Sequence, residues 1–122
     1  MLAALHRFHG YGSLRGVYRR GQTVRGPMLS LRFTQRDSRR PYRVAIVVSR
    51  KVSKSAVVRN RIRRRIYELV REQAVLIPSG IDLVFTVFDE RVAELPSPKL
   101  EKAVSNLLKK AAVQDPSSQN HL

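Results

Sequence analysis

Apolar positions recur along the chain in two periods. Leu29, Leu31 and Phe33 alternate with Ser30, Arg32 and Thr34, the pattern of a half-buried strand. Tyr42 to Ser49 repeats it, with Val44, Ile46 and Val48 on one face and Arg43, Ala45, Val47 and Ser49 on the other. A short strand is expected at Thr23–Val24, broken by Gly26-Pro27, and Ile81 to Phe88 reads as an apolar strand. The other period is helical. Leu14, Val17 and Tyr18 share a face of a short helix that Ser13 caps and Gly21, as a left-handed residue, ends at Arg20. A long helix is expected from Ser55 to Val75, stopped by Pro78-Ser79-Gly80. Ser97-Pro98 opens a last one, with Leu100, Val104, Leu107, Leu108 and Ala111 as its buried stripe. The order is helix, two or three strands, helix, strand, helix: an α+β fold with about three helices on a small sheet. One domain over residues 1–113 is expected, with 114–122 a polar, frayed tail.

Composition narrows the class. The 122 residues are 43% hydrophobic, enough for a core, and contain no cysteine, which excludes disulfides and thiolate metal sites. No apolar run approaches the ~18 residues of a spanning helix, and the first residues lack a signal-peptide pattern, so a cytoplasmic protein is expected. Charge is more telling. Residues 1–67 hold 18 Lys/Arg against Asp37 alone, a net +17, while residues 68–122 carry a net −2. Every cation before Lys51 is arginine, whose planar fork pairs with phosphate oxygens and stacks on bases. Nucleic acid is therefore the expected partner, ahead of a membrane surface, because no segment pairs a basic face with a bulky aromatic one.

The long helix concentrates this charge. With Val58 at 0°, Leu69 falls at about 20°, Ile62 at about 40°, Ile66 at about 80° and Val70 at about 120°. Opposite them come Tyr67 at about 180°, Asn60 at about 200°, Arg71 at about 220° and Arg64 at about 240°, flanked by Arg63 and Arg61. No acid occurs on the helix before Glu68, so an ordinary solvated face of mixed sign does not describe it. Periodicity alone leaves DNA and RNA both open.

Ser49-Arg50-Lys51, seven residues, then Arg59-Asn60-Arg61-Ile62-Arg63-Arg64-Arg65-Ile66-Tyr67-Glu68 closely resembles the signature helix of the bacterial ribonuclease P protein subunit. Leu14-x-x-Val17-Tyr18-x-x-Gly21 is similar to that family's first helix and Gly80-Ile81-Asp82 to its last strand, so the resemblance spans about Leu5 to Val113. It implies a mostly antiparallel sheet in the order α-β-β-β-α-β-α, with a left-handed strand–helix–strand crossover against the usual rule. It implies a catalytic RNA as partner, which removes the 5′ leader of precursor tRNA with Mg²⁺, the protein itself binding no cofactor. The contacts to that RNA would be Lys51, Lys54, Arg59, Asn60, Arg61, Arg63, Arg64 and Arg65. The leader would lie in a cleft of the sheet.

Strand alternation describes that cleft independently. Ser30, Arg32, Arg43, Ala45, Val47 and Ser49 make a shallow floor of small residues with arginine at its rim. With the family resemblance, Leu14 and Tyr18 of the first helix are expected as further leader contacts. For Tyr18 two readings stay open, a stacking surface or a core aromatic. The family usually carries an aromatic where Leu14 stands, and an arginine near Val87-Phe88-Asp89. No nucleophile–base pattern, phosphate loop or metal-ligand spacing occurs, and His6, His9 and His121 read as terminal surface residues. Two other functions stand beside this one: a ribosomal or other structural RNA-binding protein without a role in cleavage, which the charge would fit, and a stand-alone nuclease, which the missing catalytic pattern disfavours.

Overall fold

The computed structural model describes His6, Phe8 and residues 11–114. Its elements are α1 (Tyr11–Arg20), β1 (Gln22–Arg25), β2 (Leu29–Gln35), β3 (Arg43–Val47), α2 (Ala56–Glu72), β4 (Ile81–Val87) and α3 (Ser97–Gln114). The tail beyond Gln114, like His9 and His121, lies outside the described residues.

The four strands form one mixed sheet in the order β1-β2-β4-β3. β1–β2 and β2–β4 are antiparallel, and β3–β4 is parallel. A parallel neighbour needs a crossover, and α2 supplies it. Leu29, Leu31, Phe33, Val44, Ile46 and Val48 are all buried on one face of the sheet, as the alternation requires. Leu83, Phe85 and Val87 join them from β4. Ile62, Ile66 and Val70 of α2 and the expected stripe of α3 close this core from above.

α1 lies on the opposite face, packed against β2 and β4. Its Val17 (1% exposed) and Val84 of β4 (0%) are both buried, apart from the main core. α1 begins at Tyr11, so Ser13 stands inside its first turn and not at the position before it, where a cap was expected. Gly21 does not take the left-handed conformation expected of a helix stop; Gly80 is the sole described residue with positive φ. What Gly21 provides is room. A Cβ there would come within 2.4 Å of the Val17 carbonyl oxygen and 2.9 Å of that of Phe33. α2 starts as expected, with Ser55 accepting from the Val58 N–H at 3.2 Å, but it ends at Glu72 and a 3₁₀ turn takes Ala74–Leu76. A second 3₁₀ turn at Glu90–Ala93, capped by Asp89, was not foreseen. His6 is no free surface residue. Its Nδ1 donates to the Tyr42 carbonyl at 2.9 Å and its ring stacks on Tyr42 at 3.9 Å.

Candidate nucleic-acid interface

Two surfaces on opposite faces of the sheet carry the chemistry. The first is the outer side of α2 and the turn before it. The buried residues Ile62, Ile66 and Val70 centre the inner face of α2 near 80° on the wheel used above, not at 0°. That rotation sorts the arginines. Arg64, about 160° away, points into solvent and makes no hydrogen bond or ion pair among the described residues. Tyr67 is half-buried against the core rather than opposite it. Arg65 flanks the core on the other side, and its guanidinium donates to the Val92 carbonyl at 2.6 Å and to that of Leu95. It holds the Glu90–Ala93 turn against α2, a structural role in place of the expected RNA contact.

The remaining expected contacts fall between these limits. Arg59 donates to the Ser53 carbonyl at 2.9 Å, bracing the turn from which Lys51 and Lys54 project, exposed beside Arg50. Asn60 accepts from Arg63 at 2.7 Å, and Arg61 pairs with Glu94 at 2.8 Å, both partners exposed. These last contacts are weak at a wet surface and leave guanidinium edges open to phosphate. Arg50, Lys51, Lys54, Asn60, Arg61 and Arg64 thus form one exposed cationic surface.

The second surface is the sheet face under α1. Strand register lays its outward residues in three rows. Arg25, Ser30, Thr86 and Val47 form one; Thr23, Arg32, Val84 and Ala45 the middle; Thr34, Asp82 and Arg43 the third. α1, packed on β2 and β4, crosses the middle row, where Val17 and Val84 are both buried. Arg32 fastens it there: its Nε donates to the Val17 carbonyl at 3.1 Å, and its two terminal nitrogens to the Tyr18 carbonyl at 2.6 Å and Thr23 Oγ1 at 2.7 Å. A cation on the last carbonyls of a helix also opposes the helix dipole. Arg32, expected at the rim as a leader contact, is therefore committed to the scaffold.

α1 divides the open face in two. On one side Gly16, Val17, Arg20, Thr34, Gln35, Arg36, Arg43 and Asp82 line a charged cleft of about 520 Å³. Asp82, 3% exposed, accepts the two-pronged fork of Arg43 at 2.9 and 2.7 Å and Arg36 Nε at 3.2 Å. One carboxylate thus orients two guanidinium groups beside the cleft. The Phe8 ring lies 4.8 Å from the Arg43 guanidinium carbon. The sequence signal for this cluster was an aspartate in an otherwise apolar strand. On the other side Ser30 is 8% exposed, Thr86 and Val47 are half-buried, and Ser49 is exposed. Tyr18 is 44% exposed, which decides against a core aromatic, and Leu14 is half-buried.

Known proteins share this sequence pattern and fold. A family model described as Ribonuclease P matches residues 2–112. The chain is 35% identical over 114 residues to the ribonuclease P protein component of Synechococcus sp. (strain JA-2-3B'a(2-13)), covering 91% of this chain and 85% of that one. It is 40% identical over 99 residues to the same component of Pseudanabaena sp. (strain PCC 6903), covering 80% and 83%. The fold matches the ribonuclease P protein of Thermotoga maritima with a TM-score of 0.75 at 24% identity, over 85% of this chain and 96% of that one. With an arginine-bearing α2 on one sheet face and an open cleft on the other, and a match running nearly end to end, the chain belongs to the ribonuclease P protein family.

Proposed function

We propose that the chain positions RNA within ribonuclease P while the RNA subunit performs the chemistry. As a ribonuclease P protein component it is part of a tRNA-processing endoribonuclease and has an RNA partner. The exposed cations from Arg50 to Arg64 hold the catalytic RNA, neutralising phosphates and releasing counterions. The sheet face under α1 receives the single-stranded leader of precursor tRNA through Leu14, Tyr18, Ser30, Ala45, Val47 and Ser49. The observation that carries this reading is the placing of the two surfaces on opposite faces of one rigid sheet. A single small domain can then hold two RNA segments at once and fix their separation.

Five of the eight described carboxylates are paired with arginine, which supports a non-catalytic role. Asp82 is held by two arginines, Asp37 by Arg39, Asp89 by Arg91, Glu94 by Arg61 and Glu68 by Arg71. Each of these five neutralises a cation, and among the described residues no group of three or more acids or histidines is arranged to hold a metal ion, as a two-metal site requires. Mg²⁺ then belongs to the RNA-containing holoenzyme. The test is direct. Purified protein with Mg²⁺ should leave precursor tRNA intact, and addition of the catalytic RNA should give cleavage at the leader junction. Efficient cleavage by RNA-free protein overturns the proposal.

A further inference from the structure

The half of the open face without the Asp82 cluster holds an aromatic residue that the leader contacts above do not include. Along β4, Asp82, Val84 and Thr86 face outward while Leu83, Phe85 and Val87 enter the core. The next residue, Phe88, continues the ladder. Its N–H donates to the Met28 carbonyl at 2.8 Å, one step beyond the Leu29–Val87 pair. Alternation therefore carries its ring to the outer face, beyond the row of Ser30, Thr86 and Val47. The ring is 53% exposed, and the Val87 side chain before it is 2%.

Tyr18 faces the same half. On α1, Leu14 and Tyr18 lie about 60° and 100° to one side of Val17, while Gly16 and Arg20 lie about 100° and 60° to the other. Gly16 and Arg20 border the charged cleft, so Leu14 and Tyr18 border the half with Phe88. Of the large hydrophobic residues exposed among the described ones, the two aromatics are Tyr18 and Phe88. Single exposed apolar side chains are ordinary. Two aromatics about a floor of Ser30, Thr86 and Val47, on a strongly cationic protein, match the means by which proteins hold unpaired bases.

We propose that Phe88 is a base-stacking residue for an unpaired nucleotide of the RNA strand in the cleft. The inference rests on the reading that this strand is the precursor leader. A phenyl ring carries no donor or acceptor, so it reads no base edge. It takes any base, larger rings better, and its contribution is independent of salt. The charged half on the other side of α1 supplies the phosphate contacts that salt weakens.

The experiment uses holoenzyme reconstituted with the catalytic RNA and four proteins: wild type, Phe88→Ala, Phe88→Leu and Phe88→Trp. Precursors carry the fluorescent base 2-aminopurine at successive leader positions. Phe88→Ala should weaken binding of leader-bearing precursor roughly fivefold, the lower end of a stacking contact because the ring is partly open to water. Binding of leaderless tRNA and the slope of log K against log[salt] should not change. Quenching of 2-aminopurine at one leader position should be lost in Phe88→Ala and kept in Phe88→Trp. Full rescue by Phe88→Leu would show that apolar packing suffices and would overturn the assignment. Val47→Trp, which fills the floor, separates the two readings. If it weakens leader binding while Phe88→Ala does not, the leader reading stands and Phe88 is no contact. If neither variant discriminates leader-bearing from leaderless substrate, both readings fall.

Discussion

Arg64 and Arg65 are neighbours in sequence, of one residue type, and their replacement by alanine should give opposite phenotypes. Arg65 donates to two carbonyls at the end of the Glu90–Ala93 turn, those of Val92 and Leu95. A hydrogen bond from a charged group is worth about 1.5–3 kcal/mol. Arg65 is half-buried, so water can reach part of the vacated site, and the two bonds together come to about 2–3 kcal/mol. Against a net stability of about 5–15 kcal/mol this is a large loss, and for a domain of this size it lowers Tm by roughly 8–12 °C. Arg64 has no such partner among the described residues, so Arg64→Ala should change stability by no more than about 0.5 kcal/mol and leave Tm nearly unmoved. It should instead reduce the salt dependence of binding to the catalytic RNA by roughly 0.7–0.9 in the slope of log K against log[salt]. Thermal unfolding of the free proteins and a salt titration of RNA binding are the two assays. Arg65→Ala unfolding at the wild-type temperature would refute the division, as would an equal loss of Tm in Arg64→Ala.

Gly80 is required for its backbone conformation as well as for space. With φ at +77° and a Cβ only 1.8 Å from the Asp37 carbonyl oxygen, Gly80→Ala should cost more than about 2 kcal/mol, read as a lower urea midpoint. Acid should destabilise the fold through Asp37 and Asp89. Hydrogen bonds from the Arg39 backbone and side chain hold Asp37 below the ordinary carboxylate value of 3.8, and those from the Arg91 side chain and backbone hold Asp89 below it. A depressed native pKa means these groups stabilise the fold fully above 3.8 and cease to as pH falls through their lowered values. Their contribution to the urea midpoint should be flat from neutrality to about pH 4.5 and fall below pH 3.8, with a smaller fall in Asp89→Asn.

Much of this architecture was legible because it obeys short-range rules. The alternation of Leu29, Leu31 and Phe33 and of Val44, Ile46 and Val48 fixed which strand faces enter the core, and the stripe of α3 was read residue by residue. The arginine surface of α2 was visible on its wheel. What escaped depends on partners distant in the chain. Arg32 reads as a rim cation until α1 is seen folded across the sheet with its carbonyls against the guanidinium. Arg65 was placed among the RNA contacts by resemblance, although its wheel position of about 340° borders the apolar stripe beside Val58 and could have warned of a structural role. Asp89 before Glu90-Arg91 was a readable cap for a turn that was missed. Gly21 looked like a left-handed stop because glycine's usual reason was assumed, whereas the cause is the approach of two carbonyls.

The strand order has a consequence for synthesis. β4 is the last strand made, yet it lies between β2 and β3. Until Ile81–Val87 exists, β3 has no neighbour and β1–β2 is an isolated hairpin, marginal in water. The inner face of α2 then has no completed sheet to cover. The cationic first 67 residues, with their net +17, must therefore leave the translating machinery unfolded and wait for a segment from the acidic half. Such long-range closure makes folding a single late event rather than a stepwise one. Polyanions that bind the assembled clusters favour that event by mass action. No fragment that stops before Ile81 contains a sheet able to form.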